Sequence, residues 1–440
     1  MRQIIESVFG RRRVELAAVA AVAFAVAISV SDVQGAHRLV SEQAANHLGL
    51  TRAWFTQVQL DPARDYVQRA VLKGDRLTVI TSAGVVQELN ALTGQTYWTA
   101  PIGHENYPSL GPAANDKYVA VLNGSVLYVL DRNDGKPVMV QTVGGAPGAA
   151  PALAEKYVFV PLLDGRIEGY SLEKTKQRTP WHYQSSGKAT VAPLATPESI
   201  VWTTDAGYLY VGNSDNLTMR YRLETGSEIE APPSYHQPYV YVASLSGELF
   251  AMHELTGTQQ WKYATGFPVK RAAAAVGNRV FVTSIEPALH CIDASTGKGL
   301  WLAPHVAQFA AASRDRVYGV DDLGAFVVLN AATGEVLARA AGERPINALV
   351  NDQTDRVYLI AHDGMIQCFH EIGAKVPLYH NPKPVAPKEK GASVEKSTAP
   401  MPPKPAARPK AARPTERPKT KEEKKPAEKG NFGVGENPFG

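Results

Sequence analysis

One β-rich motif returns eight times between residues 76 and 373: RLTVI from Arg76, YVAV from Tyr118, YVFV from Tyr157, IVWT from Ile200, YVYV from Tyr239, RVFV from Arg279, RVYGV from Arg316 and RVYLI from Arg356. The intervals are 42, 39, 43, 39, 40, 37 and 40 residues. A period of about forty residues means that each unit is one supersecondary element, unable to bury its apolar faces until its neighbours stack on them. The fold must therefore be an array.

The interior of the unit is also legible. A turn signal follows the motif in seven units, at Ala83-Gly84, Asn123-Gly124, Asp164-Gly165, Ala206-Gly207, Ser246-Gly247, Leu323-Gly324 and Asp363-Gly364, with Glu286-Pro287 as the exception. Two-residue hairpin loops need a positive φ, which glycine supplies without steric cost. A second alternating strand comes next, and Leu89, Leu130, Met252, Ile292, Leu329 and Phe369 share one register of it, expected to face the core. A further turn, usually Thr-Gly (Thr93-Gly94, Thr256-Gly257, Thr296-Gly297, Thr333-Gly334), leads four residues past the glycine to Trp98, Trp261 or Trp301 on a third strand. Units three and four vary here, with Trp181 one position late and Tyr221 replacing the tryptophan. The fourth strand is small and alanine-rich, as in GPAAND, APALAE and AAAAVG.

Four short strands repeated eight times cannot form one open sheet without exposed edges, whereas radial packing leaves only short, protected ones. The pattern predicts an all-β fold, an eight-bladed β-propeller of four-stranded antiparallel blades. Strands converging on an axis leave room only for small side chains, so the alanine-rich strand is expected innermost. Trp54, Trp98, Trp181, Trp261 and Trp301 are expected to dock outer strands onto neighbouring blades. Burying 150–250 Å2 of each ring would stabilise by roughly 4–6 kcal/mol before entropy. Two segments compete to close the ring: AWFTQVQL, Ala53 to Leu60, with Trp54 in the docking place, and AKVPLYH, Ala374 to His380. Residues 36–52 read as a short helical lead-in, and 53–380 as the propeller.

The strings NALTGQTYW (Asn90–Trp98), HELTGTQQW (His253–Trp261) and IDASTGKGLW (Ile292–Trp301) resemble the tryptophan-docking repeat of the PQQ-type propeller superfamily over about residues 53–380. The resemblance specifies fold and leaves function open. Of its two relevant branches, quinoprotein dehydrogenases hold pyrroloquinoline quinone (PQQ) and calcium in the channel, while BamB-like propellers bind no cofactor and act as scaffolds in outer-membrane protein assembly. A quinone site would imply adjacent cysteines. Here Cys291 and Cys368 stand on equivalent strands two units apart, beyond the roughly 7 Å Cα separation that a disulfide spans, so two free buried thiols are expected. The chain also lacks the long insertions that build a quinone site. The expectation is a BamB-like scaffold with no cofactor and no metal, with a PQQ-binding oxidoreductase or sensor, or a polysaccharide binder using aromatics such as Tyr107, as alternatives.

The two ends differ from the body. Arg2, Arg11, Arg12 and Arg13 precede an apolar run from Leu16 to Val30, shorter than the about 20 residues of a spanning helix. Residues 1–35 read as an export signal, either a signal peptide with Ser29 and Ser31 at a cleavage site or an uncleaved anchor using residues 14–30. No cysteine follows the run, so lipid anchoring there is not expected. Both forms place the body outside the cytoplasm, periplasmic or membrane-associated. Residues 381–440 contain 12 prolines and 14 Lys/Arg against 7 Asp/Glu, and read as a disordered basic tail. Such a tail serves as a solvated spacer or contacts an anionic surface or modular domain. The chain as a whole is +4, the tail +7 and residues 1–35 +1, so the body between them is −4, which argues against a specific nucleic-acid partner.

Chemistry-bearing motifs are sparse. The eleven histidines show no metal-ligand spacing, and neither a phosphate loop nor a nucleophile elbow occurs. Catalytic residues are accordingly none. The loops leading into the innermost strands carry His104, Glu105, Lys188, Lys270, Arg271, Gln308 and Arg344. These are candidates for one channel mouth, either converging as an anion-attracting site or dispersed as ordinary loop charges. The partners expected for the propeller itself are envelope proteins.

Overall fold

The computed structural model describes residues 39–173, 179–342 and 346–380. The export segment, the basic tail and Arg344 lie outside them. Within the described residues, strands assemble into eight four-stranded antiparallel sheets, the blades of a propeller. Blades 1–7 span residues 67–101, 109–142, 152–184, 194–224, 234–264, 274–304 and 306–340. In each, the first strand is innermost and the fourth outermost.

Blade 8 is a composite that closes the ring. Asn347–Leu349, Val357–Ile360 and Met365–Glu371 are completed by Leu50–Gln57, which pairs antiparallel with Met365–Glu371 and sets Trp54 opposite Cys368. Of the two competing segments, the one containing Trp54 takes the outer position. Residues 374–380 do not, and make only an isolated bridge from Tyr379 to Thr354. The inner seam is sealed by Gln353 of blade 8, whose amide donates to Leu72 O (2.8 Å) and accepts from Gly74 N (2.9 Å) of blade 1.

The middle strands are buried on both sides, and alternation sends successive residues to opposite neighbours. In blade 1, Leu77 and Val79 pack with Tyr358 and Ile366 of blade 8, while Ile80 and Val86 pack with Val119 and Val121 of blade 2. The same division gives one apolar slab at every blade interface, so the core is a ring of slabs. Leu89, Leu130, Met252, Ile292, Leu329 and Phe369 are all buried in them.

The outer-strand aromatics dock as the repeat requires. Trp98 donates from Nε1 to Arg132 O of blade 2 (2.9 Å) and lies flat over Gly135. That glycine has φ +72°, and a Cβ there would stand 2.5 Å from Trp98 Cε3, so the ring needs both the left-handed turn and the missing side chain. Trp54 over Gly94, Tyr221 over Gly257, Trp261 over Gly297 and Trp301 over Gly334 repeat the arrangement. Trp181 occupies the equivalent register, opposite Gly169, but blade 4 offers Leu217 at φ +61° in place of a glycine. Trp181 instead meets Phe159 edge-on, 6.3 Å between centroids.

Blade 7 has Ala338 at the docking register, opposite Val328. Residues 39–49 repair the gap. A short helix, α1 (Glu42–His47), is capped by Ser41, whose Oγ accepts from Ala44 N. It carries Leu39, Val40, Ala45 and Leu48 into the slab with Phe326, Val328 and Phe369, with Ala338 against its edge. Arg316 of blade 7 donates to Leu48 O (3.2 Å) and Gln367 of blade 8 accepts from Val40 N (3.0 Å). Another interface is bridged electrostatically: Arg132 Nε meets Glu88 Oε1 at 2.9 Å, with both side chains buried. The remaining guanidinium protons reach Asn115 O and Lys73 O, which satisfies the pair as burial demands.

Candidate functional site

Every innermost strand runs in the same direction, so the ring has two different faces. The lower face bears the docking turns and the hairpins joining first and second strands. The upper face bears the hairpins joining second and third strands and the loops that arrive from the preceding blade. Between them the innermost strands line a central cavity of about 730 Å3 to which all eight blades contribute. Alanine and proline dominate its wall, including Ala113, Ala152, Ala195, Pro151, Pro193 and Pro232.

The lower mouth is crossed by residues 374–380. Arg356 holds this strap by donating to Ala374 O (2.9 Å) and Lys375 O (2.8 Å), Asp355 accepts from Leu378 N (3.1 Å), and His380 N donates to Gln353 O (2.9 Å). His380 thereby comes under blade 5, close enough to His236 for their charges to interact. Burial pushes both imidazoles below the ordinary histidine range, and the like charge depresses His236 further.

The upper mouth is open. Of the residues expected there, Lys270, Arg271 and Gln308 line the cavity, whereas His104, Glu105 and Lys188 do not. His104 accepts from Asn106 N (3.2 Å) and packs its ring on Tyr107 at 5.3 Å, forming with Glu105 an outlying loop around Asn123. Lys188 is exposed, and its backbone N–H donates to Asp205 Oδ1 (2.7 Å). Lys270 pairs with Glu230 of the preceding loop at 2.7 Å, half-exposed and therefore weak. Arg271 has no acidic partner among the described residues. Gln308 accepts from Ala348 N (3.3 Å), which ties the inner strands of blades 7 and 8.

Sequence reasoning missed three charged cavity residues: Arg69, Lys73 and Asp352. The signal was the failure of blade 1 to supply an alanine-rich strand, since Val67–Lys73 reads VQRAVLK. A bulge between Val67 and Arg69 alters the register. Lys73 and Asp352 both line the cavity, where burial pushes the Asp352 carboxyl up and the Lys73 charge partly offsets it.

Outside the channel, the upper face of blades 6 and 7 carries an apolar patch. Phe267, Ile285 and Leu323 are 47%, 51% and 83% exposed. Their loops are stitched together by Ile285 N to Pro268 O (2.8 Å), His305 N to Pro287 O (2.7 Å) and Asp322 N to His305 O (2.9 Å). Large apolar side chains exposed on neighbouring, hydrogen-bonded loops of one face are suited to a protein partner.

The family model described as outer membrane protein assembly factor BamB matches residues 82–237 and 246–376, the greater part of the ring. The chain belongs to the BamB family. Outer membrane protein assembly factor BamB of Burkholderia pseudomallei (strain K96243) is 26% identical over 270 residues, which is 61% of this chain and 64% of that relative's length. Tetrathionate hydrolase of Acidithiobacillus ferrooxidans is 28% identical over 95 residues, 21% of this chain and 19% of that enzyme, a stretch of little more than two repeats. Among solved structures, BamB from Moraxella catarrhalis superposes with a TM-score of 0.59 at 18% identity, covering 73% of this chain and 97% of that one. The computationally designed Ika8 protein gives 0.57 at 15% identity, covering 76% and 99%.

Among the described residues there is no cluster of three or more His, Cys, Asp or Glu side chains placed to hold a metal ion, and no helix is long and apolar enough to cross a membrane. Cys291 and Cys368 are both buried and free, and neither lines the channel. Burial pushes each thiol up to about 12, which keeps both protonated and unreactive at neutral pH.

Proposed function

We propose that this chain is an exported, non-enzymatic scaffold in the assembly of outer-membrane proteins, presenting its upper face to another component of the assembly apparatus and working without a quinone cofactor. The observation that carries the reading is the BamB family match across both halves of the ring. The exposed trio Phe267, Ile285 and Leu323 on a rigid face supports it, because a partner's apolar anchor gains most where the receptor has little order left to lose. The basic tail at 381–440 fits a second contact with an anionic surface of the envelope.

Cross-linking in intact cells followed by affinity purification from solubilised envelopes tests this. Recovery of stable assembly components is expected, reduced at least tenfold by the combined substitutions Phe267→Glu and Leu323→Glu, which alter exposed side chains only. A chain that elutes alone as a monomer after mild extraction overturns the reading. So does catalytic turnover after addition of PQQ and calcium.

A further inference from the structure

We infer that the central channel is a binding site for a small multivalent oxyanion, bearing carboxylate or phosphate groups, which enters from the upper face and is gripped by Arg69. The cavity, about 730 Å3, falls within the range of small-molecule sites. Its lower end is crossed by the strap of residues 374–380, so the upper mouth is the route in.

The wall is chemically asymmetric. Proline at 112, 151, 193, 232 and 233 removes backbone N–H donors on the side formed by blades 2–5, and alanine is the commonest of the other lining residues. The charged groups on the wall are therefore the ones that select a ligand. Lys270 is engaged by Glu230 at 2.7 Å, and the Lys73 charge acts on the Asp352 carboxyl. Arg69 and Arg271 are different: among the described residues neither has an ion pair, and no acceptor meets the Arg69 guanidinium. Arg69 stands on the innermost strand of blade 1 and lines the channel, its side chain still accessible to solvent there. Burial lowers its pKa from the ordinary arginine value, and no carboxylate acts in the opposite direction. A guanidinium confined in a channel without a counter-ion is free to take up an anion from solvent. Its planar fork matches carboxylate and phosphate oxygens two at a time. Arg271 at the mouth adds a second cation along the path, and Lys270 a partly neutralised third.

The site is separate from the apolar patch on blades 6 and 7, so the two can be tested independently. Isothermal titration of the full-length chain at low ionic strength, with citrate in one arm and inorganic pyrophosphate in the other, measures binding. The lysine-rich tail also attracts anions, so the discriminating comparison is Arg69→Gln against Lys424→Gln/Lys425→Gln. One-to-one binding of at least one probe is expected, weakened about tenfold or more by Arg69→Gln and kept in the tail variant. The preferred probe distinguishes carboxylate from phosphate chemistry. Thermal melting supplies a second readout: saturating probe should raise the melting temperature of the parent and leave that of Arg69→Gln nearly unchanged. Equal affinity in Arg69→Gln and parent, no heat from either probe at millimolar concentration, or an equal probe-induced rise in melting temperature in both would each overturn the inference.

Discussion

The contact between Trp98 and Gly135 can be isolated with a double-mutant cycle. Trp98→Ala removes a ring that is 8% exposed and leaves a cavity, at a cost of about 3–5 kcal/mol. The lost indole donor adds little, because Arg132 O still accepts from Arg76 Nη1 at 2.6 Å. Gly135→Ala has two separable costs. An alanine at φ +72° is disfavoured by about 1–2 kcal/mol whatever surrounds it. Its Cβ, 2.5 Å from Trp98 Cε3, also forces the ring or the turn to move, for about a further 1–3 kcal/mol. In the double variant the ring is gone, so the clash vanishes and the cavity and backbone costs alone remain. The two single effects should therefore exceed the double by about 1–3 kcal/mol, the signature of direct contact. Guanidinium unfolding followed by far-UV circular dichroism is the assay, because the other tryptophans would blur a fluorescence signal. Additivity within about 0.5 kcal/mol would refute the idea that the turn glycine exists to seat the indole.

The lead-in segment should matter as much as a docking tryptophan. Leu39→Ala, fully buried in the blade 7/8 slab, is expected to cost about 2–5 kcal/mol in the same unfolding assay, and a cost under about 0.5 kcal/mol would show that residues 39–49 merely decorate the ring. The docking turns also predict a pH effect. The Asp293 carboxylate accepts from the side chains and backbone N–H groups of Ser295 and Thr296, which holds it down at about 2. A depressed folded-state value means that its stabilisation is complete above the unfolded carboxylate value near 3.9 and is lost as pH falls through about 2. Carboxyl-detected NMR titration of Asp293 should give a midpoint well below 3, and Ser295→Ala should raise it.

The fold was legible because every level of the chain repeats the same instruction. The β-rich motif, the hairpin glycine and the Thr-Gly-x3-Trp spacing recur together, and each alone would have been ambiguous. Legibility failed where one unit obtained its packing from outside the repeat. Nothing local to Ala338 announces that a helix some three hundred residues earlier in the chain fills its docking space, since the compensation is made by tertiary contact. Trp181 misled in the other direction. Its sequence spacing is one residue long, yet its register is equivalent, and what differs is the bed on the next blade, Leu217 for glycine. The mouth residues were harder still. Lys270 and Arg271 could be placed because they directly precede an alanine-rich strand. Arg69 could not, because its strand lacks the small-residue pattern by which the lining was recognised.

The two faces of the ring are committed to different tasks by the docking repeat itself. Thr-Gly turns must all lie on one face, because each outer-strand ring reaches the adjacent blade at that level, and their glycines are already covered by indole or phenol. That face also carries the strap across the channel. Substitutions there disturb blade-to-blade packing before they disturb any partner. The upper hairpins and loops carry no such obligation, so they can hold Leu323 at 83% exposure and an Arg271 with no acidic partner among the described residues without loosening the ring. A surface free of structural duty is where recognition can vary at small cost to stability. The apolar patch and the open end of the cationic channel therefore share one face as a consequence of how the blades are fastened.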